Sequence, residues 1–148
     1  MLKPYICVAC EKVLIDKGDT ASLIGLFNKI IANIPANAPE VPKNAVVPKE
    51  WAIFSAWDIE SGDEHKKYFL CTQLLYPDKT RFGDVNKLLM NIEPNKRTQI
   101  TINLLGFPMG QLGNYTAQTW IEENEKPVID PIEFAIGLEI IRADDGKS

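Results

Sequence analysis

Near its C-terminal end, Ile132, Phe134, Ile136, Leu138 and Ile140 alternate with Glu133, Ala135, Gly137 and Glu139. Successive side chains of a strand point to opposite faces, so this period of two marks a strand with one buried face. Ile100, Ile102 and Leu104 alternate with Thr101 and Asn103 in the same way. Trp51, Ile53, Ser55 and Trp57 alternate with Ala52, Phe54 and Ala56, and here both sets are apolar or small. That pattern predicts a strand covered on both faces. Residues 68–76 and 115–121 are rich in the aromatic and branched side chains that favour strands. Turn signals separate these runs: Ser61-Gly62-Asp63, Pro77-Asp78, Pro94-Asn95 and Glu123-Asn124-Glu125. Strands at such spacing predict an antiparallel β-sandwich of about seven or eight strands. They are expected at residues 5–15, 22–32, 50–58, 66–76, 82–92, 97–105, 115–121 and 132–141.

Two segments compete with this reading. Leu23, Leu26, Phe27, Ile30, Ile31 and Ile34 fall at helical intervals with Thr20 as a cap. Gly25 inside that run costs a helix roughly 1 kcal/mol relative to alanine. Lys17-Gly18-Asp19 suits a hairpin turn after a first strand, so a strand is favoured. Val85, Leu88, Leu89 and Ile92 fit a short helix over residues 84–92 as well as they fit a strand. Residues 34–48 carry prolines at 35, 39, 42 and 48 and form a long extended loop. Too few residues precede that loop to build a core, so one domain over residues 1–148 is expected, with a loose tail at 143–148.

The charge argues about partners. Sixteen Lys and Arg against twenty Asp and Glu leave a net charge of −4. No concentrated basic surface is implied, so nucleic acid is not expected as a partner. No apolar run reaches the roughly 20 residues of a spanning helix, so no membrane is expected. Three cysteines are too few for the disulfide framework of a small secreted protein, which predicts a cytoplasmic location.

Catalytic chemistry finds little purchase. The one histidine, His65, lies among charges beside a turn, where a surface role is favoured over a general base. Cys7 and Cys10 have C-x-x-C spacing, but only Cys71 remains as a further thiol ligand. On a strand, residues 7 and 10 face opposite ways, so inert buried thiols are expected. The carboxylates Asp58, Glu60, Asp63 and Glu64, with Glu122, Glu123 and Glu125, lack the fixed spacing of a calcium loop. Residues 106–113 hold three glycines without either phosphate-binding pattern. Trp51, Trp57 and Trp120 would stack on sugars if exposed, but the apolar neighbours of the first two favour the core. No catalytic residue, metal or cofactor is therefore expected.

The opening residues Tyr5-Ile-Cys-Val-Ala-Cys-Glu-Lys-Val-Leu-Ile-Asp16, followed by Ser22-Leu-Ile-Gly-Leu-Phe27, resemble the start of a bacterial domain-of-unknown-function family of small β-sandwich proteins. Gly113-Asn-Tyr-Thr-Ala-Gln-Thr-Trp-Ile-Glu-Glu-Asn-Glu-Lys126 is similar to its closing hairpin. The resemblance implies an all-β fold of immunoglobulin-like or C2-like kind, and no activity.

If each expected strand crosses the sandwich once, the connections gather at alternating ends. One end collects the acidic turns 16–19, 60–64, 93–96 and 122–126. The other collects residues 35–48, 77–81 and 106–113, and presents Phe107, Met109 and Leu112. Exposed apolar residues on adaptable loops suit a partner surface, unless they fold back to cap the core. The expectation is a non-enzymatic domain acting through contact with an unidentified protein partner or by self-association, as adaptor or assembly subunit. The alternative is a ligand-binding module for calcium or carbohydrate.

Overall fold

A computed structural model of the chain describes residues 2–94 and 96–143. Ten strands run through the described residues: β1 (Lys3–Ile15), β2 (Ala21–Leu26), β3 (Lys29–Pro35), β4 (Val46–Asp58), β5 (Tyr68–Leu75), β6 (Arg81–Leu89), β7 (Thr98–Pro108), β8 (Gly113–Glu123), β9 (Lys126–Pro127) and β10 (Ile132–Ala143). A 3-10 turn spans Asp63–His65. The first sheet has the order β2-β1-β4-β7, and the second β3-β10-β8-β5-β6 with β9 beside β8. Pairing is antiparallel except between β3 and β10. The expected tail at 143–148 falls outside the described residues apart from Ala143, which closes β10. Among the described residues no helix is long and apolar enough to cross a membrane.

The sandwich forms as the alternation predicts. Its connectivity sets β1, β4 and β7 in one sheet against β5, β8 and β10 in the other, as strands A, B and E face C, F and G in immunoglobulin domains. A further mark of that fold stands at the start of β8. The Tyr115 hydroxyl donates to the Gln111 carbonyl at 2.7 Å and accepts the Gln111 N–H at 3.3 Å, a tyrosine corner. Between the sheets, Trp51 and Ile53 of β4 pack with Tyr115, Ala117 and Ile136. Lower in the same layer, Trp57 packs with Tyr68, Leu70 and Ile121. The indole N–H groups of both tryptophans have acceptors, the Gly106 carbonyl for Trp51 at 2.9 Å and the Ser55 hydroxyl for Trp57 at 3.0 Å. Both rings are buried, 3% and 0% exposed, so neither presents the flat exposed face on which a sugar stacks.

Two expectations need correction, and one open choice is decided. Residues 22–32 are not one strand but two, split at Phe27 and Asn28 between opposite sheets. The Phe27 N–H still bonds the Ala9 carbonyl in the first sheet at 3.3 Å, while the Asn28 carbonyl accepts the Gly137 N–H of the second at 2.8 Å. Between the strand and the short helix left open for residues 84–92 the structure has the strand: Val85, Leu88 and Leu89 lie on β6, with Leu88 and Leu89 exposed along its edge. The long loop is shorter than 34–48, because β3 runs through Pro35 and β4 begins at Val46. Pro48 sits where the β4–β7 register shifts between Val47 and Glu50, a bulge where its missing donor is tolerated.

The first sheet has a third, partial layer. Ala52, Phe54 and Ala56 point away from the core, yet all are buried, with Cys10, Val13, Ala21 and Leu23 around them. The β1–β2 hairpin folds back over this outer face. Its tip reaches β7, where the Gln99 side-chain amide donates to the Asp19 carbonyl at 3.1 Å, and Asp19 pairs with Lys96 at 2.9 Å. The apolar second face of residues 51–57 is thus met by the chain's own hairpin.

Candidate functional site

The connections gather at the two ends that the crossing argument groups, although the turn at 16–19 reaches the acidic end because the β1–β2 hairpin folds back, not because β1 crosses once. At one end the Met109 N–H bonds the Ala45 carbonyl at 2.9 Å, joining residues 36–45 to residues 109–112. Gly110 makes this contact close: a Cβ there would sit 2.0 Å from the Lys43 carbonyl oxygen. Gln111 ties in the turn after β5, accepting the Asp78 N–H at 3.2 Å and donating to the Asp78 carboxylate at 2.9 Å. Arg142 of β10 donates to the Ala38 carbonyl at 2.7 Å.

The three apolar residues expected at this end are not equivalent. Phe107 is fully buried, and its expected place on an accessible loop is corrected. Gly106, at φ +84°, lets β7 continue to Pro108 and turns the Phe107 ring between Trp51 and Tyr115, with ring centroids 5.6 and 4.9 Å away. Met109 is half-buried and packs against the core. Leu112 alone stands out, 63% exposed. Met109 and Leu112 line an open cleft of about 490 Å³ with Val41, Ile140, Glu40 and Arg142. Sequence reading missed Val41 and Ile140; the inward alternation of β10 is the signal that places Ile140 there.

The opposite end carries the acidic turns, and its carboxylates face cations. Arg97 donates to Asp58 at 2.8 Å, Lys96 lies 3.3 Å from Glu93, and Lys3 lies 3.6 Å from Glu60. Asp63 is buried and accepts the Tyr68 hydroxyl at 3.0 Å and the Glu60 N–H at 2.9 Å. Burial raises its carboxyl, but these donors outweigh that and hold it below the ordinary carboxylate value. The same burial and the facing carboxylate push Tyr68 up to about 12. Among the described residues no group of three His, Cys, Asp or Glu side chains is placed to hold a metal ion. His65 is an exposed side chain 3.5 Å from Glu64.

Cys7 faces the layer between the sheets and Cys10 the outer layer, so the C-x-x-C thiols point apart as strand geometry requires. Burial pushes both thiols, and that of Cys71, above the ordinary value, to about 11 for Cys71. Trp120 lies on the outer face of the second sheet, half-buried, with its indole N–H on Glu122 at 2.9 Å. Comparison with known proteins finds no protein-family model and no curated protein that matches the chain.

Proposed function

We propose that this domain works by protein contact, as an adaptor or assembly subunit, through its loop end. The supporting observation is the open apolar cleft under Leu112. Its walls come from three separate segments, residues 36–45, 109–112 and the end of β10, held together by the Met109–Ala45 backbone hydrogen bond and by the Arg142 guanidinium on the Ala38 carbonyl. An apolar floor of Met109, Val41 and Ile140 with a charged rim of Glu40 and Arg142 has the build of an interface centre and its border. The unpaired thiols of Cys7, Cys10 and Cys71 support a cytoplasmic setting for this role. The reading also carries the bacterial family resemblance, in which no activity is implied.

The test is affinity capture from lysate of the source cell, with sedimentation velocity to detect self-association. Wild type is compared with a Met109→Ser, Leu112→Ser variant whose circular dichroism and melting confirm the fold. Leu112 is exposed and Met109 only half-buried, so this pair is a milder perturbation than any change at Phe107. The expected result is a complex or dimer formed by wild type and lost in the variant. An assembly that persists in the variant refutes the loop end as the contact surface.

A further inference from the structure

The sandwich is open along one side, where β6, the edge of the second sheet, stands beside β7, the edge of the first. A cleft of about 170 Å³ enters there. Its floor is the core itself: Trp51 and Ile53 of β4, Leu74 of β5 and Leu104 of β7, with Phe82 of β6 at the side. Its mouth is held apart by an irregularity in β6. Thr72 pairs with Asn86, but Leu74 pairs with Phe82, so three residues of β6 oppose Gln73 alone. Gly83, at φ +69° with no atom within 4 Å of where a Cβ would sit, makes that bulge. Bulges of this kind lift an edge strand and re-aim its side chains.

Two polar features converge on this apolar pit. Asp84, on the bulge, lines the mouth and has no ion-pair partner among the described residues. Thr72 lines the cleft, is 3% exposed, and its hydroxyl has only the Thr119 hydroxyl at 3.5 Å, the outer limit for such a bond. An engineered apolar cavity of about 150 Å³ holds benzene, so this volume accommodates one six-membered ring. The carboxylate at the mouth selects the charge of what hangs from that ring.

We propose that the side cleft is a binding site for a small arylalkylammonium compound, its ring against Phe82, Leu74 and Leu104 with the buried edges of Trp51 and Ile53 beneath, and its cation at Asp84. The site is separate from the loop-end surface and does not depend on it. It has the general form of a small-molecule site, an apolar pit with a few convergent polar groups.

The experiment titrates isotope-labelled protein with phenethylamine and, separately, with phenylacetate, following indole N–H and methyl resonances. Phenethylamine should shift the Trp51 indole and the Leu74 and Leu104 methyls while leaving Trp57 and Trp120 in place. Asp84→Asn, an exposed change that leaves the fold intact, should weaken it roughly three- to fivefold, the worth of one exposed charge contact. Asp84→Lys should transfer the preference to phenylacetate. No shift at the solubility limit of phenethylamine overturns the proposal, and so do shifts confined to other surfaces. Equal binding of both probes by wild type, or cleft binding unaltered by both Asp84 substitutions, overturns the assignment of the cation.

Discussion

Phe54 is the residue on which the third layer rests. It points away from the inter-sheet core, and in a two-layer sandwich such a side chain would lie in solvent. Here it is 3% exposed, because Val13, Ala21 and Leu23 of the folded-back hairpin lie over it. Burial this complete gives Phe54→Ala the cost of a core truncation, about 3 kcal/mol. The lower end of the usual range applies, since a hairpin can settle into the space more readily than two sheets can. In a domain of this size that loss lowers the melting temperature by about 6–12 °C. Urea unfolding measures the change, and a double-mutant cycle with Leu23→Ala should show coupling above about 0.5 kcal/mol. A cost below about 1 kcal/mol with additive single effects would mean that the hairpin does not cover this face, and would refute the argument.

Other consequences follow from local geometry. Gly110→Ala places a Cβ against the Lys43 carbonyl, so it should cost about 1–3 kcal/mol and speed proteolysis within residues 36–45. Unchanged stability and cleavage would show that the two loops are not in contact. Asp63 sits below its ordinary value, so its contribution is complete above about pH 4 and is lost as pH falls further; Asp63→Asn should flatten the acid limb of the stability curve. Tyr68 is raised to about 12, so the contribution of its neutral phenol is complete below about pH 10 and is lost as pH climbs toward 12. Tyr68→Phe should remove that alkaline limb, read by fluorescence melts across pH. Cys10 and Cys71 are buried and Cys7 half-buried, so a thiol reagent at neutral pH should react slowly with native protein and with all three thiols after unfolding.

The legible parts of the fold are those where one side-chain pattern has one structural meaning. Alternation at Ile132–Ile140 and Ile100–Leu104 is strand and nothing else, and it appears as β10 and β7. The doubly apolar run 51–57 announced a covered second face, although it could not say what covers it. The switch at Phe27 and Asn28 left no trace, because Ile30 and Ala32 turn inward in the second sheet just as a continued strand would turn them in the first. Helical spacing of Val85, Leu88 and Leu89 was misleading because an edge strand leaves those side chains half in solvent, where no face has to be hidden. Phe107 was misread for a related reason. Glycine at 106 looks like a loop, whereas its left-handed backbone serves to turn a strand residue back into the core.

The site was legible as a place more than as a set of residues. Strand parity places residues 35–48, 77–81 and 106–113 at one end, and the hydrogen bonds at Met109, Gln111 and Asp78 close that end. What parity cannot supply is which side chains remain available once the sheets are packed. The first sheet's outer face is taken by the β1–β2 hairpin. The outer face of the second is crossed by a bonded row, Gln73 to Gln118 at 2.5 Å and Gln118 to Glu133 at 2.6 Å, with Lys87 on Glu122 at 3.1 Å beside it. Side chains already bonded to one another offer a ligand little, since each new contact must replace one of equal strength. The acidic end is occupied by its own ion pairs. The loop end beneath Leu112 and the side opening at the β6 bulge are two places where the architecture leaves apolar side chains accessible, and both arise from backbone irregularity: the proline loop in one case, a glycine bulge in the other.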